Sequence, residues 1–193
     1  MSDDGLVRCG WATIRPGADF ELYRDYHDQE WGRTLRDGVA LFERMSLEAF
    51  QSGLSWLIIL RKRENFRRAF AKFDVETVAR YTDADVQRLM TDEGIVRNRA
   101  KIEATIANAR AAADLGSPAD LSELLWSFAP SPRPRPADAS EIPSATAESK
   151  AMATELKRRG FRFVGPTTAY ALMQATGMVD DHIRDCWVPT NQL

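Results

Sequence analysis

Apolar residues recur along this chain at intervals of three and four, the spacing that gathers side chains onto one face of a helix. Leu41, Phe42, Met45 and Phe50 keep that spacing across 37–51, and Gly53 suits the stop. A second helix is predicted over 55–70, after the turn Gly53-Leu54-Ser55-Trp56, and a short one over 74–81. Thr82-x-x-Asp85 reads as a capping box ahead of Val86, Leu89 and Met90, with Gly94 closing that turn. The clearest helix spans 98–115, where Ile102, Ile106 and Ala109 share a face and Gly116 ends the run. Further helices are predicted over 121–128, 146–158 and 166–177. No stretch alternates apolar and polar residues as a half-buried strand does, so the pattern predicts an all-α fold.

Five prolines between 129 and 143 make that stretch an extended connector. The 193 residues suit one domain, 1–193, built as two helical lobes. No apolar run approaches membrane-spanning length and the N-terminus lacks a signal-peptide layout, so a cytoplasmic protein is expected. The net charge of −2 gives no global pull toward nucleic acid, and any such binding must come from cations concentrated on one face.

Two Cys and two His are all the chain has. His182-x-x-x-Cys186 places two ligand types one helical turn apart, while Cys9 and His27 lie at the other end of the sequence. Together they are read either as a closed, four-ligand zinc site clamping the two termini or as core thiols with incidental histidines.

Lys157-Arg158-Arg159-Gly160-Phe161-Arg162-Phe163-Val164-Gly165-Pro166-Thr167-Thr168 joins two predicted helices. Its glycines permit a tight turn, Pro166 suits a first helical position, and amides at that helix start offer a seat for a phosphate. The alternative is an ordinary connection with a solvated basic face. Arg61, Lys62, Arg63, Arg67 and Arg68, with Arg97, Arg99 and Lys101, are candidates to extend the surface or are simply solvated helix faces.

Trp11, Tyr23, Tyr26, Trp31 and Trp56 crowd the first third of the chain, and Glu48 sits among apolar neighbours in Leu47-Glu48-Ala49-Phe50. Aromatic faces beside one carboxylate suit a flipped, positively charged base; the bland reading makes the rings core and Glu48 a surface group.

Several strings in fixed order resemble the 3-methyladenine DNA glycosylase I family of the helix-hairpin-helix glycosylase superfamily. They are Arg8-Cys9-Gly10-Trp11, Tyr26-His27-Asp28-Gln29-Glu30-Trp31-Gly32, Leu47-Glu48 with Gln51 and Gly53-Leu54-Ser55-Trp56, Lys62-Arg63-Glu64-Asn65, Ser140-Glu141-Ile142-Pro143, Arg159 to Gly165, and Asp181-His182 with Cys186. The similarity runs over 8–187. It implies one structural zinc held by Cys9, His27, His182 and Cys186, and a base pocket from Trp11, Tyr26, Trp31, Glu48 and Trp56 in which Glu48 is the catalytic carboxylate. It implies that the turn from Gln51 to Leu54 enters duplex DNA. The helix-hairpin-helix element, about 146–178, would grip the phosphodiester chain through Gly160, Phe161, Arg162, Gly165, Thr167 and Thr168.

The resemblance also sets exclusions. Bifunctional members carry a Schiff-base lysine just after the second hairpin glycine, where this chain reads Pro166-Thr167-Thr168, so a monofunctional hydrolase is expected. Two Cys cannot supply a four-cysteine iron–sulfur site. Asp180 stands where the 3-methyladenine family shows Asn and the wider superfamily a catalytic Asp; it is read as a helper at the sugar or as a cap. The expected activity is release of 3-methyladenine from alkylated double-stranded DNA, leaving an abasic site in base excision repair, by a monomer. A catalytically idle damage binder and a zinc-stabilised protein-interaction domain are the rival readings.

Overall fold

The computed structural model describes residues 4–13 and 17–190. Among them there is no strand, and nine α-helices carry the fold. In chain order they are α1 (Ala18–Gln29), α2 (Gly38–Gln51), α3 (Trp56–Ala69), α4 (Val75–Ala79), α5 (Asp83–Thr91), α6 (Arg99–Ala113), α7 (Pro118–Trp126), α8 (Ala147–Arg158) and α9 (Pro166–Ala175), with 3-10 turns at Gly10–Ala12, Ala71–Phe73 and Ala139–Glu141. The all-helical expectation holds. Its one large omission is α1, whose aromatic and charged run gives no clean apolar stripe.

Boundaries follow local chemistry. Asp37 accepts from the Ala40 amide and starts α2, Asp74 caps α4 through Thr77, Asn98 caps α6 through Lys101, and Ser117 caps α7 through Asp120 ahead of Pro118. The Thr82/Asp85 capping box opens α5 as its spacing predicts, and Thr146 with Ser149 forms a second at α8.

α2 is the axis. It packs against α3, α6, α7 and α9, and Leu41, Phe42, Met45 and Phe50 are fully buried on its inner face. α4 and α5 lie on α6 in one lobe; α8 and α9 pair in the other and meet the first through α2. Around Phe42, Phe50, Phe66, Phe70 and Phe73 a continuous aromatic core forms, and at about 1.5–3 kcal/mol per buried side chain such burial outweighs any single polar contact. A smaller cluster of Cys9, Cys186 and Val188, flanked by Trp11, Trp31 and Ile183, ties the two ends of the chain together.

The proline-rich stretch is extended until Ala139–Glu141 and runs along the C-terminal segment. Arg135 donates to the carbonyls of Cys186 and Val188 and to Asp180, while the Pro136 carbonyl accepts from Arg184 N at 2.8 Å. No helix of the described residues is long and apolar enough to cross a membrane.

Candidate functional site

A cavity of about 390 Å³ opens where α1, α2, the start of α3 and α9 converge. Its walls include Trp11, Tyr23, Tyr26, Trp31 and Trp56, with Glu48 and Gln51 from α2, Ser55, Ile142 from the connector, and Ala171 and Gln174 from α9. The aromatic rings brace each other: centroids lie 5.6 Å apart for Trp11–Tyr23, 5.2 Å for Trp11–Trp31 and 5.3 Å for Tyr26–Trp56. All five aromatic or acidic residues expected at a base pocket line this one cavity. Tyr23, one of the aromatics of the first third of the chain, joins them, as do Ser55, Ile142, Ala171 and Gln174, residues without a pocket role in the sequence reading.

Glu48 is 5% exposed, and its carboxylate makes no hydrogen bond to a described residue. Burial pushes it up to about 7, and the charge of Arg44, one turn earlier on α2, pulls the other way. Arg44 also donates to the Tyr26 hydroxyl at 2.7 Å and to Glu30 at 3.2 Å, with its guanidinium 5.2 Å from the Tyr26 ring centroid. Burial pushes the Tyr26 phenol up, so it stays neutral. With its oxygen occupied by Arg44, the hydroxyl keeps its proton for a partner in the cavity.

Beside the pocket, Cys9, His27, His182 and Cys186 are all buried, and their ligating atoms lie within 4.8 Å of one another. Cys9 Sγ is 3.6 Å from His182 Nδ1; Cys186 Sγ is 3.6 Å from His27 Nε2 and 3.4 Å from His182 Nδ1. A tetrahedral zinc with bonds of about 2.0–2.3 Å separates its ligands by about 3.3–3.8 Å, so these spacings fit a metal. The outer partners fit too: His27 Nδ1 donates to Asp28 at 2.8 Å and His182 Nε2 to the Trp31 carbonyl at 3.1 Å, leaving the other ring nitrogens' lone pairs facing the cluster. Arg8 holds Asp28 in turn. Hydrogen bonding from Cys9 pulls the Cys186 thiol down while Cys186 and burial push Cys9 up, a conflict that a divalent cation among them would resolve by ionising both. The His182–Cys186 spacing is not a turn of α-helix, as the sequence suggested, but an irregular loop in which Cys186 N bonds Ile183 O at 2.9 Å.

The hairpin between α8 and α9 turns at Gly160, whose φ of 93° needs a residue without Cβ. Gly165 has an ordinary φ of −79° and faces open space, so its lack of a side chain matters for close approach and not for conformation. It is the N-cap of α9 and offers no capping side chain, which leaves the amides of exposed Thr167 and half-buried Thr168 pointing outward. Arg162 projects its side chain to solvent. Phe161 departs from its expected role: its ring is 4% exposed in the core and its amide bonds Leu156 O, so it anchors the hairpin from beneath.

A family model described as methyladenine glycosylase matches residues 17–189. The chain belongs to the methyladenine glycosylase family. It is 45% identical to DNA-3-methyladenine glycosylase 1 of Escherichia coli (strain K12) across 94% of this chain and 96% of that one. A crystal structure of a 3-methyladenine DNA glycosylase I superposes with a TM-score of 0.87 at 43% identity, covering 94% of this chain and 98% of its own. The Staphylococcus aureus 3-methyladenine DNA glycosylase I, from a study of the structural basis of 3-methyladenine recognition, superposes at 0.85 with 35% identity over 96% and 98% of the two chains.

Within this family member, two other expected features read differently in space. Asp180 does not line the base cavity; its carboxylate pairs with Arg135 at 2.9 Å and accepts from His182 N, the position of a cap. Most of the basic clusters are spent internally: Arg61 pairs with Asp19, Arg63 with Glu30, Arg67 with Glu43, Arg97 with Glu93 and Arg99 with Glu103, while Lys62 bonds the Glu93 carbonyl. Lys101 points inward. Asp181, named from sequence only within the Asp181-His182 string and without a role, is buried and accepts from Tyr170 at 2.6 Å, Arg133 at 2.7 Å and Gln174 at 2.9 Å, and so orients a pocket amide.

Proposed function

We propose that this chain is a monofunctional DNA-3-methyladenine glycosylase working as a single domain and a monomer, with Glu48 as its base-reading and catalytic carboxylate. The observation that carries the reading is a buried carboxylate without a hydrogen-bond partner, opening onto a cavity walled by Tyr and Trp rings.

Adenine alkylated at N3 carries a full positive charge, which already weakens its bond to deoxyribose. A flipped lesion enters the cavity against the aromatic wall to which Trp56 and Tyr26 contribute, with its exocyclic amine toward Glu48. Each aromatic face attracts the cation by about 0.5–2 kcal/mol, and the desolvated carboxylate adds charge neutralisation that neutral adenine cannot use. Water then attacks the oxocarbenium-like sugar as the neutral base departs, leaving an abasic site. No lysine follows the second hairpin glycine, so no covalent step with the sugar is invoked.

Double-stranded DNA is held by the outward amides of Gly165, Thr167 and Thr168 and by Arg162, and exposed Leu54 on the Gln51–Leu54 turn fills the space of the flipped nucleotide. Cys9, His27, His182 and Cys186 would hold one zinc ion, whose four protein ligands fix the walls contributed by Trp11 and Trp31 and leave no position for water. Cytoplasmic residence accords with a reduced thiol pair.

Chromatography of bases freed from methylated DNA tests the assignment. Wild type should release 3-methyladenine and Glu48→Gln should release it far more slowly at unchanged fold; equal rates would remove Glu48 from the mechanism.

A further inference from the structure

Lys101 and Asn108 are buried polar residues that the mechanism above leaves without work. They stand seven positions apart on α6, which puts them on one face about 10 Å from each other. Both reach backbone, and both reach a loop assigned to DNA. Lys101 Nζ donates to the Phe50 carbonyl at 2.8 Å and to the Ser52 carbonyl, gripping the end of α2 where it passes into the Gln51–Leu54 turn. Asn108 pairs with Arg162 in both directions: its Nδ2 donates to the Arg162 carbonyl at 3.0 Å and its Oδ1 accepts from the Arg162 amide at 2.6 Å, in the middle of the hairpin.

The chemistry fits the task. The last carbonyls of α2 lack intrahelical partners, and an ammonium there satisfies them and complements the negative end of the helix dipole. A primary amide is the one side chain that completes a peptide's donor and acceptor together. Burial, the sole cause acting on Lys101, lowers its proton affinity, so a cation is kept in the interior at a cost that ordinary packing would avoid. Gly53 (φ 79°) gives the turn freedom that must be removed elsewhere for Leu54 to be held in one place.

We propose that Lys101 and Asn108 are positioning residues that make α6 a ruler, fixing the spacing between the turn that enters the duplex and the hairpin that grips the phosphate backbone. The inference rests on the assignment of Leu54 and the hairpin to DNA given above.

Its test is a double-mutant cycle on single-turnover release of 3-methyladenine from duplex DNA, read beside the affinity for free 3-methyladenine by tryptophan fluorescence. A misplaced loop costs about 10- to 100-fold in rate, so Lys101→Met and Asn108→Leu should each fall by that much while free-base affinity stays within about twofold. In a Leu54→Ala background Lys101→Met should cost less than about twofold more, and Asn108→Leu should cost less than it does alone, because the spacing it fixes no longer has a turn to place. Equal losses from Lys101→Met in both backgrounds, or parallel loss of free-base affinity, would overturn the ruler. Full activity in Leu54→Ala alone would instead overturn the DNA assignment of that turn. Should Lys101→Met fail to fold, Lys101→Gln, which keeps a donor for the carbonyls, goes through the same cycle.

Discussion

Replacing Glu48 by Gln should stabilise the protein and disable it, and the two effects should share one pH dependence. A carboxyl that titrates near 7 instead of its usual 4.5 is harder to ionise inside the protein by about 3 kcal/mol, at about 1.4 kcal/mol per tenfold. The raised value means that the folded state prefers the protonated form. The penalty is therefore absent below about pH 4.5, grows as pH rises, and is complete above about pH 7. Glutamine keeps the shape without the charge, so Glu48→Gln should gain about 3 kcal/mol over wild type at roughly pH 9 relative to the difference in acid. Denaturant unfolding of both proteins across that range measures it. Activity should run in the opposite sense: the N3-alkylated lesion is a cation at every pH, so wild-type kcat/KM should rise with ionisation of Glu48 and level off above about pH 7, and the variant should be slow and flat. A stability difference that does not change with pH, or a wild-type profile flat through neutrality, would show that Glu48 is not a buried, uncompensated charge.

Arg44 is the cation that holds Glu48 down, so Arg44→Leu should move the midpoint of the kcat/KM profile to higher pH, by roughly one pH unit or more; an unmoved midpoint contradicts the coupling. Gly165→Asp places a capping carboxylate where the Cβ meets open space, so α9 should gain about a few tenths of a kcal/mol while duplex affinity falls at least tenfold and free-base affinity is kept. Unchanged duplex binding would remove the α9 amides from the interface. Stripping zinc with a chelator, from a site loaded about a thousandfold above its Kd, should remove about 4 kcal/mol of stability, seen as a lower Tm, and zinc should restore it. An unchanged Tm would contradict a structural ion.

The helices were legible because periodicity and caps are local: Asp37, Thr82 and Gly116 announce boundaries within a turn of where they act. The pocket aromatics and the four metal-ligand candidates were legible as residues, though their convergence was carried by resemblance, since Cys9 and Cys186 are brought together only by tertiary packing. What stayed hidden depends on direction. Lysine at 101 counts as basic in any sequence, yet it points into the protein, and Arg61, Arg63 and Arg67 of α3 pair with Asp19 on α1, Glu30 just beyond it and Glu43 on α2, acids that no local window pairs with them. Phe161 was assigned to the DNA-facing loop because the resemblance covers the whole hairpin string, while packing decides which of its residues turns inward. α1 was missed because its apolar positions serve a cavity and a metal cluster, not a continuous core stripe.

The preference for a charged purine is open to direct measurement by equilibrium binding of the 3,9-dimethyladeninium cation, which carries the lesion's charge with methyl in place of sugar, against neutral 9-methyladenine. Wild type should favour the cation, and the ratio of the two affinities should drop about tenfold or more in Glu48→Gln, the loss of one desolvated charge partner. An identical ratio in the two proteins would contradict the account, because the slot would then read shape alone.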